Sequence, residues 1–123
     1  MRLVEFFVVM GVLVLLLGCT TAPTEKTVDS GVKTVRIGES VTAGPYVVKL
    51  SSITTPTEKY PNGQAVVEIS KNNVVMVTDT IPANSSKQFT IDEDRVTVYV
   101  YRQNADLNPA NRWSEIRVVA VYR

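Results

Sequence analysis

The sequence predicts an all-β fold, a β-sandwich of about seven strands, and three observations carry that prediction. From Thr34 onward, apolar residues recur at every second position in short runs, the spacing of strands with one buried face. Gly, Pro, Asn and Asp punctuate those runs at short intervals, the cadence of antiparallel strands joined by tight turns. No stretch sustains the 3.6-residue period of an amphipathic helix. Composition narrows the function classes further. The chain has 123 residues, 45% hydrophobic and 20% charged, with a formal net charge of +1 and no histidine. No basic stripe is available to displace counterions from phosphates, so no nucleic acid is expected as a partner. Without histidine the usual general base and the commonest metal ligand are both missing, and neither a cofactor nor a metal is expected.

The first element is a leader. Arg2 gives a weakly positive start, and Phe6 to Leu17 is apolar apart from Gly11. That run is about a dozen residues, the length of a signal-peptide core and short of the ~20 needed to span a bilayer as a helix. It ends in Leu16-Leu17-Gly18-Cys19, followed by Thr20, Thr21, Ala22 and Pro23. This stretch resembles the lipobox of bacterial and archaeal lipoproteins. The resemblance implies a signal peptide over residues 1–18, cleaved between Gly18 and Cys19, and a diacylglycerol on the Cys19 sulfur. Two acyl chains, at about 0.8 kcal/mol per buried methylene, would anchor the exported chain firmly to the cell membrane or outer surface. Cys19 is the single cysteine, so no intrachain disulfide can form. The competing reading is an uncleaved anchor starting nearer Leu3, with Glu5 at the interface.

Residues 19–33 read as a flexible linker, rich in Thr, Ser, Pro, Gly and charge with only isolated valines. Fully extended, it would reach roughly 45 Å at about 3.3 Å per residue. The sandwich domain is expected over residues 34–123, large enough to bury a core without staples.

Within that domain, Thr34 to Ile37 forms a first short strand closed by Gly38-Glu39, and Val41 opens a brief second segment. Tyr46 to Ile53 alternates, with Tyr46, Val48 and Leu50 on one face, until Ser51-Ser52 breaks the phase and predicts a bulge or strand end. Thr54 to Gly63 is a loop ending in Pro61-Asn62-Gly63. Gln64–Ser70 and Asn73–Thr78 read as a hairpin around Lys71-Asn72, pairing Ser70 with Asn73, Ile69 with Val74 and Val67 with Met76. The core face is then Ala65, Val67, Ile69, Val74 and Met76. Ser86 to Ile91 turns Phe89 and Ile91 inward, and Asp92-Glu93-Asp94 makes an acidic turn. Val96, Val98 and Val100 point inward on the next strand, with Tyr99 and Tyr101 outward. After a loop over Gln103 to Asn111, Trp113 to Tyr122 is the last strand. Strands in this number, with no helix, argue for an immunoglobulin-like β-sandwich preceded by a signal peptide and a flexible tether.

Gly38-Glu39-Ser40, then Gly44-Pro45-Tyr46-Val47-Val48-Lys49-Leu50 with Ile53, and then the Val66–Val77 hairpin set a cadence of turns and strands. It resembles the small β-sandwich domains of archaeal S-layer and related surface proteins, with Asn72 where such hairpins often carry Gly. The resemblance spans most of residues 34–122 and implies a structural role in the cell envelope.

Candidate sites are few. The register above turns Val75, Val77, Tyr99, Tyr101, Val119 and Val121 outward, together with Val47 and Val66. They are a candidate interaction face for an envelope protein, a glycan or a second copy. The alternative is the ordinary preference of β-branched and aromatic residues for exposed strand positions. Asn84-Ser85-Ser86 fits the N-glycosylation acceptor pattern in a surface loop, against the alternative of an ordinary polar turn. The run Asp92 to Asp94 lacks the ligand spacing of a calcium loop and reads as a solvated turn. Ser30-Gly31-Val32-Lys33 has the spacing of a Ser-Lys nucleophile pair but lies in the linker, without companion motifs, so no enzyme is expected. Trp113, after the Asn108–Arg112 loop, resembles the late-strand aromatic of chagasin-like protease inhibitors. Their Gly-rich middle loop is missing here, and a core or rim tryptophan is the expectation.

Two function classes follow. One is a membrane-anchored surface lipoprotein with a non-catalytic sandwich for envelope structure, adhesion or assembly. The other is a ligand-binding or protease-inhibitor-like module acting through the Thr54–Gly63 and Gln103–Asn111 end loops.

Overall fold

The computed structural model describes residues 24–123, so the expectations for Gly18 and Cys19 lie outside the described residues. Nine strands follow in order: β1 (Lys26–Asp29), β2 (Lys33–Arg36), β3 (Ser40–Ala43), β4 (Tyr46–Ile53), β5 (Gln64–Lys71), β6 (Val74–Pro82), β7 (Ser85–Ile91), β8 (Asp94–Asn104) and β9 (Trp113–Tyr122). They form two antiparallel sheets. β3-β4-β5-β6 is a four-stranded meander; the other sheet has five strands, running β1-β9-β8-β7 with β2 also on β9. The all-β sandwich is therefore present, with nine strands among the described residues where about seven were expected.

Its core is built by the predicted alternation. Tyr46, Val48 and Leu50 on β4, Ala65, Val67 and Ile69 on β5, and Val96, Val98 and Val100 on β8 are all buried. The β4 and β5 residues face those of β8, and Ile116, Val118 and Ala120 of its neighbour β9, across the sandwich. The bulge foreseen at Ser51-Ser52 is there, as a register shift between Leu50 and Ser52 that returns Ile53 to the interior. A second bulge on β8 sets two residues, Tyr101 and Arg102, between the Val100–Ile116 and Gln103–Ser114 pairs. It turns Gln103 inward, where its side chain accepts from the Ser114 hydroxyl at 3.1 Å.

Three expectations are corrected. The linker does not run to Lys33. Lys26–Asp29 pairs with β9 from Tyr122 to Val119, and Ser30 extends the attachment through its N–H to the Val118 carbonyl, 2.9 Å. A strand with one valine among polar neighbours carries no hydrophobic pattern of its own, and its stability comes from β9.

The β5–β6 hairpin turns on Asn72 and Asn73, both at positive φ (53° and 64°), which the two-residue turn favoured by twisted strands requires. Lys71 therefore faces Val74, Ser70 faces Val75, and Ile69 faces Val77, with Met76 the extra residue. The slip moves Val77 against the core and leaves Val74 and Met76, both expected inside, 58% and 39% exposed.

Asp94 does not belong to a solvated turn. Asp92 and Glu93 form the turn at positive φ, and Asp94 begins β8 with its side chain buried against Tyr46.

Candidate functional site

The sandwich has two unlike ends. At the first, the chain enters the domain: Lys26 lies opposite Tyr122, and the β3–β4, β5–β6 and β7–β8 turns gather around them. Tyr46 ties this entry end together. Its hydroxyl donates to Asp94 Oδ2 at 2.6 Å, and Lys71 Nζ lies 3.6 Å from the same oxygen and 5.5 Å from the Tyr46 ring centroid. Burial first, and the adjacent Asp94 carboxylate second, push the Tyr46 hydroxyl well above its ordinary pKa.

At the far end lie the 54–63 loop, the Ala83-Asn84 turn and the 105–112 loop. The two loops are long, yet pinned. Gln103 Nε2 donates to the Asn62 carbonyl at 2.9 Å, and Arg112 Nη1 donates to the Ile53 carbonyl at 2.8 Å. Within the 105–112 loop, Asn104, Asp106 and Asn108 each accept from the N–H two residues on, a chain of Asx turns leading into the short 3₁₀ turn Pro109–Asn111. This rigid loop holds Leu107 out into solvent, 91% exposed. A cleft of about 150 Å³ opens between Tyr60–Gly63 and Pro82–Asn84. A shallower groove of about 240 Å³ lies beside it, lined by Asn84, Ser85, Ser86, Tyr99 and Tyr101. Asn84 is exposed at positive φ (59°), on the rim of both.

The structure divides the interaction face predicted from sequence. Tyr99, Tyr101, Val119 and Val121 share the outer face of the five-stranded sheet, each half-buried. Val75 is exposed on the edge of the other sheet, and Val77 packs on the core. Nor is the tyrosine face open. Tyr99 and Tyr101 stack on each other, centroids 6.3 Å apart and 9° from parallel, and the Arg117 guanidinium covers the Tyr99 ring at 5.1 Å. Arg117 in turn forks onto Asp29 of β1, Nε to Oδ1 at 3.0 Å and Nη2 to Oδ2 at 2.5 Å. Trp113 sits half-buried on the rim at the start of β9, opposite Arg36. Ser30, of the Ser-x-x-Lys spacing, spends its hydroxyl on the backbone, donating to the Gly31 carbonyl and accepting from the Val118 N–H at 2.8 Å. Among the described residues, no three potential ligand side chains gather as a metal site. No helix among them is long and apolar enough to cross a membrane.

The Asp29–Arg117 fork has a pH signature. The Arg117 hydrogen bonds, helped by the Gly31 N–H, hold the Asp29 pKa at about 2, below its ordinary 3.8. A depressed carboxylate stabilises the fold above its unfolded pKa, and that contribution fades as pH falls through the folded value. β1 is therefore expected to loosen between about pH 4 and pH 2. Asp29→Asn should expose the Lys26 and Lys33 bonds to trypsin at neutral pH and flatten that part of the acid-unfolding curve. An unchanged curve with Asp29→Asn would show that the fork does not hold the strand.

Sequence reasoning missed Leu107 and the buried Asp94. A lone leucine in a polar loop has no periodicity to betray it; the Asx-forming residues at 104, 106 and 108 were the one signal that the loop is rigid.

The fold and its ends define a class: a small two-sheet sandwich, entered at one end, with pinned loops at the other. No family model, curated protein or solved structure matches the chain.

Proposed function

We propose that this chain is an exported lipoprotein, held to the membrane by lipid on Cys19, whose non-catalytic sandwich serves adhesion, envelope structure or assembly at the cell surface. The observation that carries the reading is polarity. The chain enters at one end, while Leu107, the two clefts and Asn84 lie at the opposite end, which the anchor would turn outward. Rigid loops suit recognition, because less conformational freedom is lost on binding. The partner class is an envelope protein, a glycan or a second copy. The cadence of turns and strands over most of residues 34–122, which resembles that of surface-layer domains, supports the same placement.

The cleft between Tyr60–Gly63 and Pro82–Asn84 favours a second reading, a ligand-binding or inhibitor-like module using those loops. Cross-linking on intact cells separates the two. On the first reading, Leu107→Asp should cut cross-links to an envelope component roughly tenfold or more, the weight of one buried leucine, with the urea midpoint unchanged. Cross-links to a soluble ligand through the 54–63 loop, insensitive to Leu107→Asp, would favour the second. Loss of cross-links with Tyr99→Ala alone would return the contact to the sheet face. Cys19→Ala should release the protein from membranes; retention would make the leader an uncleaved anchor.

A further inference from the structure

Three consecutive apolar residues, Val74, Val75 and Met76, are exposed at 58%, 53% and 39%. They begin β6 immediately after the Asn72-Asn73 turn, and so lie at the entry end of the sandwich, beside Lys71 and the Tyr46–Asp94 cluster. We infer that this apolar tip rests in the interfacial layer of the membrane to which the chain is anchored, an inference that depends on the lipid anchor proposed above.

Chain length argues for that occupant. Because β1 begins at Lys26, only residues 20–25 separate Cys19 from the first strand. They can span at most roughly 20 Å, less than half the reach expected from sequence. So short a connection brings the entry end to the bilayer first, and the most exposed apolar run of the described strands is already there.

Charge fits as well. The ionic groups of this end largely pair with one another: Arg95 with Glu25 at 3.5 Å, Arg123 with Glu93 at 3.5 Å, and Lys71 with Asp94 at 3.6 Å. Approach to lipid then brings few uncompensated charges against it, and the contact should depend on apolar burial and be insensitive to salt.

The competing occupant is a second copy pairing along the open edge of β6. Two features oppose it. The bulge at Met76 interrupts the ladder within the apolar stretch. Further along, Asp79 reaches across to Lys87 of β7 at 3.2 Å, and Pro82 closes the strand. Bulges, charges and proline are devices that discourage strand addition. The side chains remain apolar where backbone pairing is obstructed, as contact with lipid requires.

The test uses the full lipidated chain in phosphatidylcholine vesicles carrying a few per cent of doxyl-labelled phosphatidylcholine. A fluorophore is attached at Met76→Cys or, for the far end, at Glu58→Cys. The probe at 76 should be quenched several-fold more than the probe at 58, equally in low and high salt. Mass spectrometry of the N-terminal peptide reads the lipid on Cys19 independently. Lipid present with equal quenching at both positions would overturn the inference and leave the anchor standing; absence of lipid would overturn both. Self-quenching at 76 that grows with protein density, without quenching by doxyl lipid, would overturn it in favour of pairing between copies. The double variant Val75→Asp, Met76→Asp, probed at Asn73→Cys, should lose most of the quenching; retained quenching would also overturn it.

Discussion

Asp94→Ala will destabilise the domain by about 3 kcal/mol, in the range for breaking a buried, hydrogen-bonded charge pair. Asp94 is 7% exposed, and its carboxylate serves two partners, the Tyr46 hydroxyl at 2.6 Å and Lys71 Nζ at 3.6 Å. Without it the fully buried Tyr46 hydroxyl keeps only a long contact to the Ile91 carbonyl, 3.4 Å, and the lysine loses its counter-charge. Tyr46→Phe removes one hydrogen bond and leaves the ion pair, so about half that loss is expected. Urea denaturation measures both. The midpoints should fall at constant slope, and the double variant should cost clearly less than the sum. Strict additivity would mean that Asp94 and Tyr46 do not act together. Alkali gives a second readout. The folded-state pKa of Tyr46 is raised above its ordinary 10.0, so its contribution is complete below that pH and declines above it, as the unfolded chain ionises. Tyr46→Phe should remove that decline.

Gly63→Ala is the second large effect, also about 3 kcal/mol, of which ~1 is the left-handed conformation itself. Gly63 is buried at φ +71°, and a methyl group there would run into the Thr54 carbonyl oxygen and the Ile53 side chain. The contact is with backbone, which cannot swing aside. It is fixed further by the Thr54 N–H on the Gln64 carbonyl, 2.9 Å, and the Gln64 N–H on the Thr54 hydroxyl, 2.7 Å. Gly38→Ala provides the control. At φ +92° it bears conformational strain as well, but a methyl group there meets nothing within 4 Å. The difference between the two variants isolates the clash. Because Asn62 adjoins Gly63 and accepts from Gln103, the damage should spread into the far-end loops and, on the proposed function, weaken partner capture along with stability. Equal losses for the two alanines would show that the loop relaxes freely.

What the sequence makes legible follows from what generates a pattern. β4 and β8 are central strands with one face in the core, so their side chains must alternate. The break at Ser51-Ser52 marked the β4 bulge, whereas the β8 bulge lies where the strand was expected to end, and Gln103 and Asn104, expected in a loop, continue β8. β1 escapes because an edge strand of four residues needs only Val28 against the core. The β6 register escapes for a different reason. One turn residue misplaced, followed by one bulged residue, exchanges the inward and outward sets, and Val-Val-Met-Val offers no polar residue to betray the error. Asp94 is hidden by its neighbours: three acids in a row read as solvated, although only Asp92 and Glu93 occupy the turn. The tyrosine face was legible as a set of residues but not as a covered one, because Arg117 and Asp29 come from strands far apart in sequence.

The seam between β1 and β9 also decides how the domain would bear load. In the proposed arrangement an anchor would pull on the entry end of β1, while a partner at the far loops would pull the rest of the sandwich the other way. The force then runs along the strand axes, so the rungs from Lys26–Tyr122 to Asp29–Val119, the Asp29–Arg117 fork and the Ser30–Val118 bonds are strained together. They shear as a group and are not peeled one by one. A short seam loaded along its strands resists detachment better than one peeled from an end, which is what the proposed arrangement would ask of it.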